Sequence, residues 1–223
     1  AFGIPLQFDK VYTEGISKIT AQDVKYAEDL GFRIKHLGIA RRAANGIELR
    51  VHPTLIPSEE LIANVNGVKN AVLVQAHAVG PTLYYGAGAG AGPTASAVVA
   101  DVIDIVRDIS YTEDGAGTIP QLAFEALTNV PILSREQMTT GYYIRLNAED
   151  QTGVLADVTT ILSRAGISID AIMQQSRLKD LIPIVILTDP VLESKMDEAL
   201  AQIQALPTIH GEIIRIRLES LDS

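Results

Sequence analysis

The stretch Gly141-Tyr142-Tyr143-Ile144-Arg145-Leu146-Asn147-Ala148-Glu149-Asp150-Gln151-Thr152-Gly153-Val154-Leu155 decides how this chain folds. Tyr142–Leu146 reads as a strand, an acidic loop closed by glycine follows, and the spacing then predicts a helix over Gly153–Ala165. Leu155, Val158, Thr159 and Leu162 share one face of that helix, and Gly166 supplies its stop. Toward the C-terminus, Ile167–Met173 and Leu181–Leu187 read as strands. Val191–Leu206 reads as a helix with Met196, Ala199, Leu200 and Ile203 inside, and Glu212–Leu218 alternates as a last strand. The order β, α, β, β, α, β is the split βαβ, or ferredoxin-like, arrangement. At roughly 80 residues such a unit is small and is often stabilised by pairing with a second copy.

Working back from Gly141, periodicity is lost over about 109–140, which contains Gly115, Gly117, Pro120 and Pro131. That stretch is expected to be a linker with a helix near Gln121–Leu127. Before it stands the run Gly86-Ala87-Gly88-Ala89-Gly90-Ala91-Gly92-Pro93, and then Ala95, Val98, Val99, Val102, Ile103 and Val106 recur at helical spacing up to Arg107. Thr82–Tyr85, preceded by Gly80-Pro81, should pair with Ala71–Val74, preceded by the turn Asn66-Gly67. A short helix is expected at Pro57–Leu61 with Ser58 as its cap.

Upstream again, Ile47–Pro53, ended by its proline, should pair with Phe32–Ala40 through an Asn45-Gly46 turn. A helix within 12–31 is capped by Thr20 with Asp23 as its capping-box partner, buries Val24, Ala27 and Leu30, and stops at Gly31. Glu14-Gly15-Ile16 reads as a loop joining strand to helix. The expected class is α+β: a partial mixed or antiparallel sheet with helices over 1–108, a linker over 109–140, and the ferredoxin-like unit over 141–223.

Composition excludes several functions. The 223 residues include 47% hydrophobic and 20% charged side chains, the balance of a globular chain with a real core. A formal net charge of -9 with scattered basic residues argues against a nucleic-acid partner. No apolar run reaches the roughly 18 residues of a membrane span. The absence of Cys removes disulfide and thiolate chemistry and fits a cytoplasmic setting. The 4 His show no zinc-binding spacing, so no metal site is expected. No nucleophile elbow is present either. The opening Ala1-Phe2-Gly3-Ile4-Pro5 reads as an apolar segment entered midway, as in a fragment.

Two segments can carry chemistry. Glycines between a strand and a helix let a ligand approach bare backbone beside free amides. Gly86, Gly88 and Gly90 are evenly spaced and no parallel strand follows their helix, so they are not a complete dinucleotide fingerprint. They form either a tight crossover or one wall of a site whose other half lies elsewhere. The second segment is the loop from Asn147 to Leu155. Amides at Gly153, Val154 and Leu155 can accept a carboxylate while Asp150 or Asn147 takes an ammonium, so an α-amino acid fits. The simpler local reading is that Asp150 caps its own helix.

These residues resemble a known family. Ala1-Phe2-Gly3, Val11-Tyr12-Thr13-Glu14-Gly15-Ile16, Asn70-Ala71-Val72, Tyr84 through Gly90 and the helix Pro93–Asp101 are similar to homoserine dehydrogenase. Tyr143–Leu146, Gly153–Ala156 and Ile167–Ile169 resemble the ACT domain appended to many bacterial members. The resemblance implies an oxidoreductase that interconverts L-homoserine and L-aspartate 4-semialdehyde with NAD or, more usually, NADP, on the route to threonine, methionine and isoleucine. It implies that Gly90, with Gly88, lies beside the coenzyme, and that Asn147, Asp150, Gly153, Val154 and Leu155 bind a regulatory amino acid, threonine first. Thr152 stands where that superfamily often has proline.

The family's catalytic lysine and substrate-holding acids precede the segment matching Ala1-Phe2-Gly3, so no catalytic residue is carried over. No coenzyme is expected to stay tightly bound to this chain alone. Self-association is expected through the ACT domain and the sheet. The alternative is a stand-alone amino-acid-sensing dimerisation module without catalysis.

Overall fold

A computed structural model describes residues 2–5, 7–111, 128–174 and 181–221. In chain order its first elements are β1 (Tyr12–Thr13), α1 (Ala21–Asp29), β2 (Phe32–Ala43), β3 (Gly46–Pro57), β4 (Lys69–Ala76), β5 (Gly80–Ala87) and α2 (Ala91–Tyr111). Then come β6 (Thr139–Glu149), α3 (Val154–Arg164), β7 (Ile169–Gln174), β8 (Leu181–Leu192), α4 (Glu193–Gln204) and β9 (Ile209–Leu218). Two compact units result: Leu6–Ala63 with Val130–Ser223, and Ala1–Pro5 with Asn64–Asn129.

The larger unit is built on one sheet in the order β1-β3-β9-β6-β8-β7, with β2 also paired to β3. Its second half is the expected ferredoxin-like repeat, in which β6 runs antiparallel to both β8 and β9. α3 and α4 cover one face with Val158, Leu162, Met196, Ala199 and Ile203 against Tyr142, Ile144, Leu146, Ile184 and Ile186. The sheet continues past β9 because β3 adds to it in parallel, Thr54 opposite Arg217 and Leu55 opposite Leu218. Two stretches expected in separate domains, 1–108 and 141–223, therefore share strands.

Pro53 does not end β3 as expected. The strand runs on to Pro57, paired with β2 along its whole length. On its other side β3 meets β1 at Arg50 and Val51 and β9 at Thr54 and Leu55. Pro53 falls where that edge changes partner, a place that tolerates a missing N–H. The hairpin register also differs by one residue, since Ala43 pairs with Gly46 and leaves Ala44 and Asn45 as the turn. Instead of a helix at Pro57–Leu61, a short 3-10 turn forms at Leu61–Asn64.

The sheet's other face carries a second core, in which Tyr26 and Ala27 of α1, with Leu30 and Phe32, pack on Tyr143, Val185, Leu187, Ile214 and Ile216. The Thr20–Asp23 capping box forms as expected. The expected stripe holds at Ala27 and Leu30 but not at Val24, which is 43% exposed while Asp23 is fully buried. Asp23, Tyr26, Ala27 and Leu30 follow the i, i+3, i+4, i+7 spacing, so a carboxylate leads the apolar face. Arg145 explains this: its Nη2 donates to Asp23 Oδ2 at 3.1 Å, its Nε donates to Oδ1, and Tyr143 OH donates to Oδ1 at 3.0 Å. Burial would raise the Asp23 carboxyl, but the bonds from Arg145 and Thr20 hold it below its usual range.

The expected helix near Gln121–Leu127 lies outside the described residues. The end of the expected linker is ordered, with Ile47 and Ile132 bridged in parallel and a 3-10 turn at Arg135–Gln137. In the smaller unit, β4 and β5 form an antiparallel hairpin, Ala76 opposite Gly80, and α2 follows. The apolar stripe expected on α2 is present but uncovered, with Val98, Val99, Val102 and Val106 each more than half exposed. No helix among the described residues is long and apolar enough to cross a membrane.

Replacing Asp23 with alanine should cost about 3–5 kcal/mol, because it strands the buried Arg145 guanidinium. Urea unfolding would read this as a lower midpoint at an unchanged slope. A loss below about 1 kcal/mol would show that the pair does not hold α1 in place.

Candidate functional site

β1 and the residue after it meet the end of the sheet at an ionic centre with no sequence signal. Glu193, the first residue of α4, is fully buried. Arg217 on β9 donates from Nε to Glu193 Oε2 at 2.9 Å and from Nη1 to Glu14 Oε2 at 2.7 Å. Tyr142 OH donates to Glu193 Oε2 at 2.8 Å, and Arg135 Nη1 donates to Oε1 at 3.2 Å. Tyr12 OH donates to Glu14 at 2.6 Å, and Arg217 lies 4.8 Å from the Tyr12 ring centre. Burial works against the charge on Glu193, yet the bonds from Arg217, aided by Arg215 and Tyr142, keep its carboxyl below the usual range. Glu14 is held down in the same way by Arg217 and Tyr12 against its own burial. Glu193 and Arg217 are closed off from solvent and position chain, while Glu14 and Arg215 reach the lining of a neighbouring cleft.

Beside it, Arg50, itself wholly buried, pairs with Glu48 at 3.2 Å and with Glu219. His52 is also buried, and its Nδ1 donates to the Pro53 carbonyl at 3.0 Å. Burial pushes His52 down to about 4 from 6.5, the Pro53 carbonyl opposes that shift, and the nearby Arg217 and Arg50 reinforce it.

The loop expected to take an amino acid connects β6 to α3. Asn147 lies in β6, opposite Pro183 and His210. Asp150 is exposed, while Val154 is buried against the core. The residue at the helix cap is Gly153, with φ +98°, so the cap position supplies no side-chain acceptor to the first-turn amides. At the loop's edge Glu149 pairs with His210 and accepts a bond from Gln151, both at 2.7 Å.

In the smaller unit, every residue from Tyr85 to Gly92 is exposed. Gly88 donates to the Val68 carbonyl at 3.1 Å, and a Cβ on it would run into the Asn70 amide. Gly90 has φ +121°, which a side chain disfavours, and Thr94 donates back to its carbonyl at 3.1 Å. Gly86 needs no such freedom, since a Cβ there meets open space. The two candidate segments belong to different compact units. Among the described residues no cluster of three or more His, Asp or Glu could hold a metal ion.

The fold is α+β, a shared sheet ending in a ferredoxin-like domain, with an exposed glycine run in a separate compact unit. Residues 1–103 match the homoserine dehydrogenase family model, and residues 142–208 match the ACT domain model. The chain thus carries a homoserine dehydrogenase family segment followed by an ACT domain. A homoserine dehydrogenase of Pseudomonas aeruginosa is 56% identical over 226 residues, covering 100% of this chain and 52% of that protein. One from Neisseria gonorrhoeae is 49% identical over 99% of this chain and 51% of its own length. The crystal structure of a homoserine dehydrogenase from Thiobacillus denitrificans superposes with a TM-score of 0.90 at 56% identity, over 99% of this chain and 50% of that one. The chain thus spans about half the length of the relatives it matches.

His52 generates a pH prediction. An unfolded histidine takes a proton near pH 6.5, and the folded one refuses it down to about 4. Stability is therefore full above about pH 6.5 and is lost as pH falls toward the folded value, by up to about 3 kcal/mol. The lowered carboxyls of Asp23, Glu14 and Glu193 lose their contribution only below their ordinary values of 3.8 and 4.5. His52→Gln should flatten the melting-temperature slope between about pH 6.5 and 4.5. An equal slope in both proteins would reject the assignment.

Proposed function

We propose that this chain is the C-terminal portion of an NAD(P)-dependent homoserine dehydrogenase that interconverts L-homoserine and L-aspartate 4-semialdehyde. The route would be the cytoplasmic one to threonine, methionine and isoleucine. The exposed backbone at Gly88 and Gly90 carries this reading. A flat ring can approach the exposed main chain at Gly90, whose Cβ position is not filled, while Asn70 occupies that position at Gly88. When bound, the coenzyme supplies hydride transfer. The residues present supply only a wall for it, and the uncovered stripe of α2 fits a missing neighbour beside that wall. Half a site cannot hold two reactants in register, so the chain alone is inactive.

The ACT domain takes an amino-acid effector, threonine first, at Asn147, Asp150, Gly153, Val154 and Leu155. The uncapped start of α3 offers amides to a carboxylate, and Asp150 offers charge to an ammonium. Self-association runs through this domain and the sheet edge.

The test compares this chain with the longer protein that includes it. The longer protein should reduce NAD or NADP with L-homoserine, and this chain should not. In the longer protein, Gly90→Val should raise the coenzyme KM by roughly tenfold or more through lost approach, with threonine binding unchanged. Turnover by the chain alone, or an unaltered coenzyme KM, would overturn the reading. Millimolar threonine should raise the melting temperature of this chain by mass action, and Asp150→Ala should remove that shift if the loop is the site.

A further inference from the structure

We propose a second amino-acid site, in the cleft between the loop before α1 and the α4–β9 side of the sheet, for a small zwitterion with a short side chain. The cleft encloses about 320 Å³, enough for such a ligand. Its lining mixes charged side chains with apolar ones, among them Ile19, Leu200 and Ile213. Its charges come in opposed pairs at two depths. Deep in the cleft, Arg215 Nη1 donates to Asp197 Oδ1, with both side chains mostly buried. At the rim, Lys18 pairs with Glu212, and these side chains are 66% and 59% exposed.

That asymmetry is what a ligand can use. A solvent-exposed ion pair contributes almost nothing to stability, so opening it is cheap. A zwitterion inserted between Lys18 and Glu212 presents its carboxylate to the lysine and its ammonium to the glutamate. Each rim charge exchanges one opposite charge for another. An amine or an acid alone would make one of these two contacts and so bind more weakly. The larger depression at the end of α3, about 800 Å³, is lined by Thr159, Thr160, Ser163, Arg164 and Ser168 among others, and holds no carboxylate for an ammonium.

Position gives the cleft a regulatory consequence. Lys18 lies in the part matched by the homoserine dehydrogenase model, and Asp197 and Leu200 lie in the ACT match. Glu14, which also lines the cleft, is tied to Arg217. A ligand here would clamp the enzyme-family segment onto the regulatory domain from within one compact unit. This inference does not rest on the effector reading of the Asn147–Leu155 loop.

The experiment is a melting-temperature series on this chain with L-alanine, L-valine and L-isoleucine at up to about 10 mM, alongside isobutyric acid and isobutylamine. At least one amino acid should stabilise the chain, and neither single-charge analogue should. Lys18→Met and Glu212→Gln should each weaken that amino acid by roughly tenfold or more, whereas Asp150→Ala should leave it unchanged. Both rim variants should melt like the parent chain without ligand, because an exposed pair is all that is lost. Amide shifts on binding should fall at residues 14–19 and 197–215. Loss of binding in Asp150→Ala alone would assign the ligand to the loop and overturn this site. So would stabilisation by the single-charge analogues, or no stabilisation by any amino acid tested.

Discussion

The Asp23 carboxylate is committed twice, and the larger unit depends on both commitments. It closes the capping box with Thr20, which starts α1, and it receives the forked donors of Arg145, which seat α1 on β6. A ferredoxin-like sheet has helices on one face only, and its other face would meet water with Tyr143, Val185, Leu187 and Ile216. α1 and the start of β2 cover that face. A forked guanidinium–carboxylate pair fixes direction as well as distance, so it sets the angle at which α1 lies on the sheet. The apolar contacts around it supply the larger share of the burial.

The ionic centre at Glu193 has a different task. Three arginines and a tyrosine converge on one carboxylate, and Arg217 extends the network to Glu14 and Tyr12. Buried charges of this kind add little net stability over apolar packing, but removing one partner leaves the others uncompensated. They specify which segments meet: here β1, α4, β9 and the turn at Arg135. Specificity of contact, rather than strength, is what this centre contributes where β1 meets the ACT domain.

The ferredoxin-like half was legible because each of its elements carries its own period and stop, as in α3 with Val158 and Leu162 inside and Gly166 after it. The capping box at Thr20 and Asp23 was legible for the same local reason. What escaped was non-local. Val24 looked like the buried position of α1, since nothing near it in sequence announces Arg145. Pro53 looked like a strand end, since nothing nearby shows that β3 changes partner there. Glu14 does lie in the loop after β1, but its partner at position 217 could not be seen from its neighbours. In the glycine run, family resemblance singled out Gly90 with Gly88, and the structure adds that Gly90 has positive φ and that Asn70 excludes a side chain at Gly88. The pairing of Lys18 with Glu212 had no sequence signal at all.

The parallel join of β3 to β9 has a consequence for how the protein is made. Thr54 waits for Arg217, which the ribosome adds long after it. Until then the β2–β3 hairpin has one side unpaired, and α1 has no surface on which to lie. Contacts of such long sequence separation form slowly, and an open strand edge is a place where nascent chains stick to one another. Synthesis therefore passes through a long interval in which the β2–β3 hairpin must be kept apart from its neighbours.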